Sequence, residues 1–298
     1  MKCPNCKSHN YQKRGVRRNS RRFVCGDCNK WWSVPVSESS LAIDRGVAKR
    51  LIVTPDKHVP IADDRAMSVV AQAIEIIKPD CYIDLGDILE GESVSHWQWK
   101  AKKKPPLEYI VPRIDEELKK ANAQIDIIDE ALDKVNIKEK HLTIGNHDDW
   151  YDKFVEEYPY LPRYAFKNAI NNDERGYTLH PMGKLLKIGK LHFYHGHLYA
   201  GLYHTANHLR KFGCNVMYGH HHDIQQNSVT HVDGVKSAWS IGCLKDMSSE
   251  ANKWLKNRQH NWAHCFAIVD FYNGDYFTVH TVVIVDGMTS LWGEIIEG

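Results

Sequence analysis

Five short apolar runs in this chain each stop at a cluster of Asp, Asn or His, and that repeated arrangement constrains the fold more than any other feature. The runs are Arg50-Leu51-Ile52-Val53-Thr54, Cys81-Tyr82-Ile83-Asp84-Leu85, His141-Leu142-Thr143-Ile144, Leu191-His192-Phe193-Tyr194 and Cys214-Asn215-Val216-Met217-Tyr218. The segments that follow them are Asp56-Lys57-His58, Gly86-Asp87, Gly145-Asn146-His147-Asp148, His195-Gly196-His197 and Gly219-His220-His221-His222. Short β-branched or aromatic runs bounded by Gly, Pro or Asp read as buried strands ending in loops. Side by side in one or two sheets, such strands bring their carboxyl ends to one crevice, the usual ligand position of layered α/β folds. Helical patterns run over residues 63–78, 108–135 and 204–212, and two late strands over 265–271 and 276–285.

With 298 residues the chain has room for one large domain and a small one. Its net charge of +2 is unevenly spread: residues 1–36 hold 9 of the 39 Lys and Arg but 1 of the 37 acidic residues, Asp27. No apolar run reaches the ~18 residues needed to span a bilayer, and the N-terminus, with Cys3 and Cys6 at once, lacks the apolar stretch of a signal peptide. The expectation is a soluble, cytoplasmic protein with no membrane partner.

Cys3-Pro4-Asn5-Cys6 and Cys25-Gly26-Asp27-Cys28 stand 18 residues apart. That spacing falls inside the ~15–20 residues of a four-cysteine zinc site. One structural Zn²⁺ held by four thiolates would give a segment this short the folding energy that its core cannot. Between the pairs lie Lys13, Arg14, Arg17, Arg18, Arg21 and Arg22, and Trp31 and Trp32 follow. Arg14, Arg17, Arg18, Arg21, Arg22, Trp31 and Trp32 are candidates for phosphate contact and base stacking. The alternative is a module for protein contact, with a solvated basic face and tryptophans that cover the zinc site. Cys81, Cys214, Cys243 and Cys265 sit in or beside apolar runs and read as reduced, buried thiols. Val36-Ser37-Glu38-Ser39-Ser40 reads as the start of a linker.

Taken in order, the five segments resemble the motifs of the calcineurin-like metallophosphoesterase superfamily over roughly residues 48 to 285. The resemblance implies two packed mixed β-sheets flanked by helices. It divides the chain into a zinc ribbon (1–36), a linker (37–47) and a metallophosphoesterase domain (48–298). It also implies a dinuclear site in which Asp56, His58 and His222 hold one metal, Asn146, His195 and His220 hold the other, and Asp87 bridges them. The implied nucleophile is a hydroxide bridging the metals. His147 is the implied proton donor to the leaving group, with Asp148 placed to orient its imidazole or raise its pKa. His195 is preferred over His197 because it directly precedes the Gly, and His221 is expected to point away from its two neighbours.

An N/O donor set without Cys fits Mn²⁺, Fe²⁺, Zn²⁺, Co²⁺ or Ni²⁺, and the resemblance makes Mn²⁺ the first choice. The run from His195 through Leu244, with Trp262 and the strand at Phe266, is similar to phage metallophosphoesterases described as DNA repair exonucleases. Two further stretches combine cations with tryptophan: residues 95–104, with Trp97 and Trp99, and residues 253–262, with Trp254 and Trp262. The expected function is therefore a DNA-directed phosphodiesterase in the host cytoplasm, with DNA as partner and a second copy or a nuclease-complex subunit as a further one. The alternatives are a phosphatase or small-nucleotide phosphodiesterase, and an inactive nucleic-acid-binding or assembly protein.

Overall fold

In the computed structural model, residues 2–17, 20–35, 47–95, 97, 103–256, 258–272 and 276–298 are described, except for side chains at 15–17, 20, 21, 34 and 35. The chain separates into two units, Met1–Gly46 and Val47–Gly298. The expected linker, 37–47, lies outside the described residues apart from Val47.

The smaller unit is an antiparallel sheet of β1 (Tyr11–Arg17), β2 (Ser20–Cys25) and β3 (Trp31–Pro35), in that order. Its two CxxC segments fold as tight turns, with Lys7 and Asn29 at positive φ and their N–H groups donating to the carbonyls of Cys3 and Cys25. The four sulfur donors lie within 4.8 Å of one another, a set able to hold a metal ion. Neighbouring strand residues point to opposite faces, and this separates the two tryptophans. Trp32 stacks on Phe23 with centroids 5.4 Å apart and meets the edge of Tyr11, so it is a packing residue. Trp31, paired with Val24, is 54% exposed and lies under the Arg22 guanidinium. Arg14 is exposed. Arg18 and the side chains of Arg17 and Arg21 lie outside the described residues.

In the larger unit, alternation along the strands sets the layers. β4 (Lys49–Thr54) and β5 (Cys81–Asp84) pair in parallel with Leu51 opposite Cys81 and Val53 opposite Ile83. These residues face the core between the sheets, whereas Ile52 and Tyr82 face the helices. β6 (Glu139–Thr143) and β7 (Thr178–His180) extend this sheet in parallel. The second sheet contains β8 (Leu186–Ile188), β9 (Leu191–Phe193), β10 (Asn215–Tyr218), β11 (Ile224–His231) and β12 (Gly234–Ile241), ordered β11-β12-β10-β9-β8. β13 (His264–Tyr272) and β14 (Tyr276–Ile284) return to the first sheet, giving it the order β14-β13-β4-β5-β6-β7. Both sheets are mixed, and they pack through Leu51, Val53, Phe193, Met217, Ile241 and Val269. A hairpin of β15 (Met288–Leu291) and β16 (Glu294–Glu297) completes the chain.

Helix α1 (Asp64–Ile77) begins where Asp63 accepts the Ala66 N–H at 2.8 Å and ends at Lys78 in the left-handed region. With α2 (Leu107–Lys134) it covers the outer face of the first sheet through Met67, Val70, Ile74, Ile114, Ile125 and Leu132. Helix α3 (Asn146–Glu157) starts at a candidate ligand, and α4 (His204–Phe212) covers the second sheet over Leu209, Val216 and Tyr218. The β11–β12 hairpin was not anticipated. Cys81, Cys243 and Cys265 are free and buried as expected, whereas Cys214 is only half-buried because it precedes β10 at its edge. Among the described residues no helix is long and apolar enough to cross a membrane.

Candidate metal centre

Asp56 and His58 follow β4, Asp87 follows β5, Asn146 opens α3 directly after β6, His195 follows β9, and His220 and His222 follow β10. The layered sheets bring all seven to one end of the larger unit. His58 Nε2, His222 Nε2 and Asp56 Oδ2 form one donor cluster, with separations of 3.1 Å between the histidines, 3.2 Å from His222 to Asp56 and 3.8 Å from His58 to Asp56. In the other cluster His195 Nε2 lies 3.0 Å from Asn146 Oδ1, 3.1 Å from His220 Nδ1 and 3.3 Å from Asp87 Oδ2. The same Asp87 oxygen lies 3.9 Å from His58 Nε2, so it stands between the clusters. Donors about 2.1 Å from one transition-metal ion are roughly 3.0–3.4 Å apart, and most of these separations match. Imidazole nitrogens converging at such distances with few protons to share fit cations.

Four of the donors, Asp56, Asp87, His195 and His58, are held from behind. Asp56 Oδ1 accepts the His220 N–H and Asp87 Oδ1 accepts the His147 N–H, both at 2.8 Å, which leaves each Oδ2 for the cluster. His195 Nδ1 donates to the Leu85 carbonyl at 3.0 Å, which turns Nε2 inward. His58 Nδ1 stands 2.8 Å from the Glu90 carboxylate, which also pairs with Lys245 at 3.0 Å. Four of the seven candidates, His58, Asp87, His220 and His222, have φ between 46° and 65°. Such left-handed conformations cost non-glycine residues about 1–3 kcal/mol each and persist only where the surroundings enforce them. Two glycines make the close approach possible: a Cβ on Gly145 would stand 2.1 Å from Asp87 Oδ1, and one on Gly219 2.0 Å from Asp56 Oδ1.

Charge follows the same pattern. Burial opposes ionisation of Asp56, but His195 and His222 outweigh it and hold the carboxyl down at about 2. Burial also opposes a charge on His195, yet Asp87 and Asp56 raise it to about 10, whereas burial and neighbouring cations lower His58 to about 4 and His220 to about 3. The metal-free site thus keeps a proton on His195.

His147 lines the same centre, its Nδ1 donating to the Glu90 carbonyl at 2.6 Å. The expected pairing with Asp148 requires correction. Asp148 is the third residue of α3, and its oxygens accept the N–H groups of Gly145 at 2.9 Å and Leu89 at 3.1 Å. A side chain at that position reaches back over the helix start, so Asp148 ties the motif loops together while a backbone carbonyl orients His147. His197 lies outside the second donor cluster, and His221 turns to the Tyr199 carbonyl and stacks on His204 at 3.8 Å.

Residues 49–245, more than half of the chain, match the model of the calcineurin-like phosphoesterases. The chain belongs to this family. The Gene 54 protein of Mycobacterium phage D29 is 26% identical over 267 residues, spanning 84% of this chain and all of the relative. Its counterpart in Mycobacterium phage L5 is 26% identical over 265 residues with the same coverage. Among solved structures, Vacuolar Protein Sorting 29 from Cryptosporidium parvum covers 84% of this chain and 98% of its own, at 12% identity and a TM-score of 0.44.

The phosphoesterase centre opens into a cleft of about 940 Å³, lined by His58, Asp87, Asn146, His147, His220 and His222 together with Trp97, Trp150, Trp254 and Trp262. Lys245, Lys253, Glu90, Glu92 and Glu250 supply its remaining charge. Sequence reasoning missed Glu90, Lys245 and Trp150. Trp150 follows His147 by three, one helical turn, and a helix boundary at Asn146 would have exposed the relation. It also missed the pair formed by Lys57 and Asp84. Both are buried, with Nζ 2.5 Å from Oδ2, and Thr54 Oγ1 accepts from Nζ at 2.9 Å. This pair anchors the loop that carries Asp56 and His58.

Proposed function

We propose that this phosphoesterase is a dinuclear-metal phosphodiesterase acting on DNA. The observation that carries the reading is Asp87 Oδ2 shared between two donor clusters in a tryptophan-lined cleft. Asp56, His58 and His222 would hold one cation and Asn146, His195 and His220 the other, with Asp87 common to both. Two cations held there, with Mn²⁺ our choice, would supply Lewis-acid activation of water and neutralise phosphoryl charge. His147 does what the chain itself must do: with Nδ1 fixed on the Glu90 carbonyl, Nε2 is free to deliver a proton to the leaving oxygen. His147→Ala should keep the metals and lower turnover by about 10²–10⁴-fold, less for p-nitrophenolate than for an alkoxide leaving group.

Relatives in two mycobacteriophages support the cytoplasm of an infected host as the place of action. In the ribbon, a structural Zn²⁺ on the four cysteines and DNA contact through Arg22 and Trp31 complete the reading. Glu92 and Glu250 in the cleft favour a second reading, a phosphatase or small-nucleotide phosphodiesterase, because carboxylates repel the neighbouring phosphates of a long strand. The deciding experiment offers Mn²⁺-loaded protein end-labelled DNA, single- and double-stranded, linear and circular, beside bis(p-nitrophenyl) phosphate and p-nitrophenyl phosphate. Cleavage of DNA and preference for the diester support the nuclease; preference for the monoester with intact DNA supports the alternative.

A further inference from the structure

Six rings form a continuous row through the cleft. Trp150 lies 4.0 Å from His147 between centroids, His147 4.6 Å from His58, His58 5.0 Å from His222, His222 4.6 Å from Trp262, and Trp262 6.1 Å from Trp254. The middle three are histidines that face the donor clusters, so the row ends in an indole wall on each side of the site. Trp150 is fixed one turn along α3 from His147, and Trp262 bridges to Asp223 beside His222, where Ala263 N–H donates to the His222 carbonyl at 2.9 Å. Trp254 nevertheless leaves 57% of its surface exposed within the cleft. A large apolar face left open beside a polar centre, as at Trp254, marks a binding surface.

A phosphodiester has two substituents, and the two ends of the row offer one indole wall for each. We propose that the two indole walls stack the two nucleobases flanking the scissile phosphate, so that the site selects unpaired strands. This rests on the phosphodiesterase reading above and names its substrate class. A base inside a duplex is stacked on both faces and offers none to an indole, whereas a single strand splays its bases freely. Because His147 stands at the Trp150 end, the base stacked there belongs to the leaving nucleotide. Water adds to phosphorus and loses a proton to solvent, the ester bond on that side breaks, and the departing oxygen takes the proton of His147. The nucleotide at the Trp254–Trp262 end keeps the phosphate.

The test is a set of double-mutant cycles on the full-length, metal-loaded protein, using the thymidine dinucleotide and its two analogues that each lack one base. Trp254→Ala, at an exposed position, and Trp150→Leu are compared with the wild type in kcat/KM. Dissociation constants of the same ligands for metal-free protein give a reading independent of turnover. Losing one stacked base, or one indole, should cost about 5- to 150-fold. Removing a base together with the indole that stacks it should cost little more than either change alone, and the two walls should respond to different bases. Fully additive losses in the Trp254 cycle overturn the proposal while leaving the nuclease reading intact. Wild-type protein that hydrolyses bis(p-nitrophenyl) phosphate but neither cleaves nor binds the dinucleotide or single-stranded DNA overturns both.

Discussion

In the ribbon, four sulfur atoms face one another across a sheet whose described residues bury Phe23, Val24 and two of the cysteines themselves as apolar groups. In the larger unit, seven donors converge on two packed sheets with apolar layers on both faces of the first. The cysteine donors have little but their own turns to hold them. Three of the Asp and His donors, Asp56, Asp87 and His195, are bonded by backbone groups of the sheet-anchored loops, namely the His220 and His147 N–H groups and the Leu85 carbonyl. Where a core is missing, a metal held by the four cysteines would supply the fold. Where a core is present, a metal would be released from that duty and available for chemistry.

Removing metal tests the contrast most severely. Structural zinc contributes an apparent ~10–16 kcal/mol to small domains. After chelation, amide hydrogen exchange should show β1–β3 fully unprotected, with β4, β5 and β13 still protected. Retained protection in β1–β3, with metal loss verified by elemental analysis, would break the comparison.

The larger unit should instead be vulnerable at its buried ion pair. Burial pushes the Asp84 carboxyl up despite the pull of Lys57. Asp84→Ala would leave the Lys57 ammonium without its carboxylate, at a cost of about 3–5 kcal/mol. Urea unfolding of the metal-free protein measures this loss.

A smaller effect sharpens the distinction between fold and site. Gly219→Ala places a methyl against Asp56 Oδ1 and should cost about 1–3 kcal/mol. Metal affinity should fall by more than stability does, as calorimetry and thermal melting together would reveal. Loss of stability with unchanged affinity would mean that the loop absorbs the methyl elsewhere.

The gentlest probe is pH. His195 in the metal-free site titrates at about 10, so its proton is present below that value and must leave when a cation binds. Apparent Mn²⁺ affinity should therefore rise with pH by about one order of magnitude per unit across the neutral range. Electron paramagnetic resonance of free Mn²⁺ follows it. A flat profile would show that His195 enters the site already neutral.

The strands that carry the site were legible because each has a buried apolar run and ends in a polar cluster. Helix α1 was legible from its helical pattern over residues 63–78, and the structure adds the Asp63 cap that fixes its start. The β11–β12 hairpin was not, since β11 is largely polar and exposed and depends on pairing with β12. Asp148 was placed beside the His147 imidazole by the resemblance, whereas helix geometry turns consecutive side chains about 100° apart and sends Asp148 to the Gly145 and Leu89 N–H groups. Glu90 behind His58 is a tertiary contact to which no local pattern points. The choice of His195 over His197 came from the position of one glycine, and the strand pairing of Leu191 with Asn215 puts His195 beside the His220 loop.

The row of rings also makes the centre observable without a label. Indole emission is quenched at short range by a paramagnetic ion, and Trp150 and Trp262 each touch a histidine of the donor face. Manganese loading should therefore darken two of the nine tryptophans directly, while a diamagnetic cation of the same charge leaves them bright. Rapid mixing would then time the arrival of metal in the native protein, before any substrate is added.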